Sequence, residues 1–150
     1  QMPMRLCENQ VVNAVLQAKQ IQMEQAGIRL VRDILVPEGG NLERAELCAL
    51  IANSLDNAIE ACQKLEPSQR AVHLTLKAEK GILGCRMTNP LPAPVQLEHG
   101  LPRTSKKDAA QHGFGLRRIR ETVLRHDGDF EIQIEAGQFT LFWYLPFETA

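Results

Sequence analysis

Two asparagines stand one helical turn apart in the stretch NSLDNAIEAC, at positions 53 and 57. Asparagine is a poor choice for a helix interior, because its short amide competes with the backbone for hydrogen bonds; Glu, Lys, Gln or Ala serves a solvated face better. At i and i+4, Asn53 and Asn57 set two amide oxygens and two amide nitrogens on one ridge. Such an uncharged ridge could ligate a hard cation through oxygen or hold water beside a phosphate. Glu60 and Lys64 fall near the same side, so a plain solvated face is the competing reading.

A second cluster is HGFGL, His112 to Leu116. Gly113 and Gly115 sit where a long loop runs into a helical pattern, an arrangement that lets backbone N–H groups approach an anion at the positive helix end. The loop before them carries Arg103, Thr104, Ser105, Lys106 and Lys107, cations and hydroxyls suited to phosphates. A G-x-G pair by itself also marks ordinary turns, and a charged loop can be merely solvated.

These groups need a scaffold, and the hydrophobic periodicity supplies one. From about Leu6 to Ala26 the spacing of Val11, Val12, Val15, Leu16 and Ile21 predicts an amphipathic helix ended by Gly27. IRLVRDILVP, closed by Pro37, reads as a strand, and EGGNLERAEL as a loop into the asparagine helix. That helix has an apolar stripe of Leu47, Ile51, Leu55, Ala58, Ile59 and Cys62, nearly opposite the polar ridge. AVHLTLKA alternates cleanly, and EKG turns it into a second run in which Leu83, Cys85, Met87 and Asn89 share a face.

Periodicity then stops from Pro90 to His112, a segment punctuated by Pro90, Pro92, Pro94, Gly100 and Pro102. A loop of that length inside one domain usually has a task. A helix over about 115–126 buries Leu116, Ile119 and Val123 and ends at HDGD with a glycine stop. FEIQIEA and QFTLFWYLPF follow as a hairpin turning at Gly137. The order predicts an α/β two-layer sandwich, one mixed sheet with helices on a single face.

Composition bounds the rest. The 150 residues suffice for one domain spanning 1–150, without internal repeats. The net charge of −1 argues against a nucleic-acid binder, and no apolar run is long enough to insert in a membrane. Aromatic residues make up only 5 %, so the core must be mainly aliphatic. Cys7, Cys48, Cys62 and Cys85 lack metal-ligand spacing and read as small buried or half-buried thiols. The opening residues QMPMRLCENQ read as a cut from a longer protein rather than a natural start.

In combination, ANSLDNAIEA, MTNP and TSKKDAAQHGFGL resemble the catalytic ATP-binding domain of sensor histidine kinases, in the GHKL superfamily with its Bergerat fold. The segment ENQVVNAVLQAKQIQMEQAGI is similar to that of the quorum-sensing kinases of the accessory-gene-regulator type, which makes residues 1–27 the domain's N-terminal helix. The resemblance implies ATP and Mg²⁺ as ligands. It implies that Asn57 ligates Mg²⁺ and that Asn53 lines the same wall, where true ATPases of the superfamily carry a water-activating glutamate. It maps the glycine box to His112, Gly113, Gly115 and Leu116, and the flexible ATP lid to residues 90–112, with Thr104, Ser105 and Lys106 as phosphate contacts. It implies no catalytic side chain beyond this nucleotide site.

Two departures stand out. The adenine-reading D-x-G-x-G is absent, leaving Asn89 of TNPLP as the nearest counterpart of its aspartate. Many histidine kinases have a basic residue three positions after the metal-ligating asparagine; here Glu60 stands there, so phosphate contacts must come from elsewhere, such as Lys106. None of His73, His99, His112 or His126 has the setting of a phosphoacceptor, which should lie upstream. The resemblance thus implies the cytoplasmic catalytic domain of a membrane-anchored bacterial kinase. Its partners would be an upstream dimerisation domain and a response regulator, in a homodimeric whole. A degenerate nucleotide-binding regulatory module is the alternative, and a serine kinase acting on an anti-sigma-factor antagonist fits the N-terminal segment less well.

Overall fold

The computed structural model describes residues 5–103 and 113–148. Helix α1 spans Gln10–Gln25, strand β1 Arg29–Leu35 and helix α2 Arg44–Gln63. Strands β2 (Ala71–Glu79) and β3 (Ile82–Pro90) follow. Two short strands, β4 (Leu97–Glu98) and β5 (Leu101–Pro102), come next. Helix α3 (Gly113–Arg125) and strands β6 (Asp129–Glu135) and β7 (Gln138–Pro146) complete the chain.

The main sheet has the order β1-β2-β3-β7-β6. Only β1 and β2 are parallel, with Arg29 opposite Ala71, and every other pair is antiparallel. The sheet is therefore mixed, and its alternation sorts residues by face. Val72, Leu74 and Leu76 of β2, Leu83, Cys85 and Met87 of β3, and Phe139, Leu141, Trp143 and Leu145 of β7 are all buried. They meet the stripe of α2, whose six predicted residues are buried in full. Val31, Leu35, Ile82 and Tyr144 lie exposed on the opposite face, where Arg86 stacks 5.8 Å above the Phe142 ring. This is the predicted two-layer sandwich.

The hairpins share one turn chemistry. Lys80-Gly81, His99-Gly100 and Ala136-Gly137 each place two residues at positive φ, the pairing whose twist matches that of the flanking strands. The middle one corrects an expectation, since residues 97–102 form a small hairpin inside the stretch read as lacking regular structure. Strands of two residues are too short for periodicity to reveal. A tertiary bond holds them, Arg120 Nη1 of α3 donating to His99 O at 2.6 Å, and Leu101 is buried.

Helix α1 also starts later than the apolar spacing predicted. Asn9 stops it at Gln10 by accepting hydrogen bonds from Val11 N at 3.0 Å and Val12 N at 3.1 Å. The Asn9 backbone N–H and amide donate to Val36 O and Pro37 O, tying the cap to the end of β1. Ile21, read as part of the buried stripe, is exposed, and Met23 fills the core instead. The four cysteines are free thiols, three buried and Cys48 half-buried.

Candidate functional site

Helices α2 and α3 lie side by side on the sheet, and the polar ridge of α2 faces the first turn of α3. Together they enclose a cavity of about 210 Å³ lined by Asn53, Asp56, Asn57, Glu60, Phe114, Gly115, Leu116 and Arg118. The structure thus brings the asparagine ridge and the glycine pair into one place. A second cavity of about 390 Å³ runs on between the two helices, and Asn53 and Arg118 line both.

The position of α2 is set from below and from its start. Ser54, between the two asparagines in sequence, points into the core, where its hydroxyl donates to Leu50 O at 2.7 Å and accepts from Trp143 Nε1 at 3.0 Å. At the start of α2, Glu46 binds the end of α3, pairing with Arg125 and with His126 Nε2 at 3.0 Å. The hydrogen bond with His126, and next that with Arg125, hold the Glu46 carboxyl below the usual glutamate range. Lys19 of α1 pairs with Asp56 at 2.6 Å on the flank of the ridge.

Gly113 and Gly115 lie in the first turn of α3, whose leading N–H groups have no partner within the helix. A side chain at Gly115 would meet nothing within 4 Å, so its absence leaves open space on the cavity wall. Leu116 is buried and anchors the turn beneath that space. Asn89 lies elsewhere. It is 1 % exposed at the end of β3, its amide donates to Pro90 O at 2.9 Å, and it does not line the cavity. Thr104, Ser105, Lys106 and His112 lie outside the described residues.

Asp56, Phe114 and Arg118 are the cavity residues that sequence reasoning passed over. Helical spacing puts positions 114, 115 and 118 on one side of α3, but only the packing of α2 against α3 turns that side into a cavity wall. The chemistry of the lining is specific. Amide oxygens and carboxylates can hold a hard cation, while the guanidinium and the first-turn N–H groups of α3 can hold phosphate oxygens. A volume of about 210 Å³ is small for a whole cofactor and suits the phosphate–metal end of one.

Comparison with known proteins bears on the family and the fold. The family model described as GHKL domain matches residues 42–146. Sensor histidine kinase DcuS of Escherichia coli (strain K12) is 27 % identical over 111 residues, covering 72 % of this chain and 20 % of that protein. The chain therefore spans about a fifth of the length of this curated relative. Acinetobacter baumannii histidine kinase AdeS is similar in structure, with a TM-score of 0.63 at 13 % identity, over 93 % of this chain and 64 % of that one. The catalytic domain of histidine kinase ThkA gives a TM-score of 0.63 at 15 % identity, over 91 % and 90 %. At these identities the structural likeness shows a shared fold.

Proposed function

The chain belongs to the GHKL family, and from that premise we propose that it is the ATP-binding catalytic domain of a sensor histidine kinase. It would donate the γ-phosphoryl group of ATP to a histidine on an upstream dimerisation domain. The observation that carries this reading is the convergence of Asn53 and Asn57 of α2 with Gly115 and Leu116 of α3 on one cavity.

The residues fit a nucleotide's phosphate end. Asn57 would offer its amide oxygen to Mg²⁺, with Asn53 beside it on the same wall, and the N–H groups of the first turn of α3 would face phosphate oxygens. Mg²⁺ held there would neutralise charge on the phosphates. Asn89 would accept a hydrogen bond from the adenine amine through its amide oxygen, since its amide nitrogen is held by Pro90 O. By the family resemblance, Thr104, Ser105, Lys106 and His112 would be further nucleotide contacts.

Asn53 bears on the fate of the γ-phosphoryl group. An amide cannot take a proton from water, so hydrolysis lacks its general base and the nucleotide is kept for transfer. In transfer, an imidazole nitrogen of the accepting histidine bonds to the γ-phosphorus, the bond to the β–γ bridging oxygen breaks, and ADP leaves. Among the described residues no helix is long and apolar enough to cross a membrane. The cytoplasmic placement, membrane anchoring, homodimer, response regulator and quorum-sensing branch belong to the same proposal.

The test is incubation with γ-labelled ATP of this chain alone and of the protein with its upstream segment. The short chain should release little phosphate and label itself little. The longer one should gain phosphate that is acid-labile and alkali-stable. Tight ATP binding without labelling of the longer protein would favour the regulatory-module reading, for which the Glu60 carboxylate in the cavity is the specific argument.

A further inference from the structure

The cavity wall on the α2 side is acidic. Asp56 and Glu60 both line it, and a polyphosphate entering there would meet two carboxylates at short range. Lys19 at 2.6 Å offsets the charge of Asp56. Among the described residues Arg118 is the cation that lines the smaller cavity from the α3 side, and with Asn53 it lines the second cavity too, where Arg125 joins it.

Its neighbours on α3 have structural work. Arg120 donates to His99 O and holds the small hairpin, and Arg125 pairs with Glu46. Among the described residues no hydrogen bond or ion pair holds Arg118. It is exposed, and it sits three residues after Gly115, so both lie on the helix side that opens onto the space beside that glycine. A planar guanidinium there can form paired N–H···O bonds with phosphate oxygens, which a point charge does less well.

We propose that Arg118 binds the polyphosphate of the nucleotide, supplying positive charge from α3 across the cavity from Asn53 and Asn57. This rests on the nucleotide-binding reading above and assigns the phosphate contact to a residue outside the glycine box.

The test is an NMR titration of Mg-ATP and of adenosine into the wild-type chain and three variants. Arg118→Ala should weaken Mg-ATP about tenfold while adenosine changes by less than about twofold. Arg118→Lys should recover part of the loss. Arg117→Ala, at an exposed position that lines neither cavity, should match the wild type. Wild-type Mg-ATP affinity in Arg118→Ala, or an equal loss for adenosine, would overturn the assignment and leave the nucleotide reading standing. A wild-type chain that binds neither compound would overturn both.

Discussion

The indole N–H of Trp143 donates to the hydroxyl of Ser54 at 3.0 Å, joining strand β7, which lies between β3 and β6, to the helix that carries both cavity asparagines. Ser54 and Trp143 are 1 % and 2 % exposed, so neither partner can fall back on water. The bond fixes the rotation of α2 about its axis and therefore which way Asn53 and Asn57 point. Ser54→Ala should lower stability by about 1–3 kcal/mol by stranding the indole N–H. Loss of the hydroxyl's bond to Leu50 O offsets little of this, since such back-bonding slightly weakens helices. A urea midpoint equal to that of the wild type would show that the pair does not hold α2.

The end of α3 gives a second test, in which neighbouring residues should respond oppositely. Gly128 N–H donates to Val123 O and Asp127 N–H to Leu124 O, which makes Asp127, at φ 63°, the left-handed residue of the stop. The glycine serves another need, because a Cβ on Gly128 would lie 1.9 Å from Tyr144 O. Gly128→Ala should cost at least about 1–3 kcal/mol. Asp127→Gly should stabilise modestly, by up to about 1 kcal/mol, as relief of left-handed strain outweighs the added chain freedom. Thermal melts of both variants check the pair of signs, and a neutral Gly128→Ala would refute the close approach.

Acid should loosen the bond between α2 and α3. The folded state holds Glu46 below its ordinary range through His126 and then Arg125. A carboxyl with a lowered folded value stabilises fully above its unfolded value, about 4.3, and that contribution is lost as pH falls through the folded value. Glu46→Gln should therefore be less stable than the wild type at pH 7, with the gap closing toward about pH 3. Urea unfolding at both pH values measures this; a gap of constant size would mean that the charge of Glu46 is not what matters.

How legible all this is in the sequence depends on whether a residue obeys a period. Leu47, Ile51 and Leu55 repeat with the helix and Val72, Leu74 and Leu76 with the strand, so the layers and the buried faces can be read directly. Ser54 breaks the pattern, because a polar residue in the core answers to Trp143, 89 positions away. The hairpin at 97–102 is too short to have a period and depends on His99 O meeting Arg120. Asn53 and Asn57 were readable because asparagine is costly in a helix and so asks for a reason. Arg118 was not, since arginine is ordinary on a helix surface and only the fold shows what it faces.

The central claim is that Asn57 holds the metal of a bound nucleotide, and calorimetric titration of ATP with and without Mg²⁺ tests it most directly. The wild-type chain should bind ATP more tightly with Mg²⁺ present. Asn57→Ala should keep the fold, since the side chain stands on the half-buried polar ridge, and should lose most of the Mg²⁺ dependence. Undiminished Mg²⁺-dependent binding by a folded Asn57→Ala variant would contradict the account.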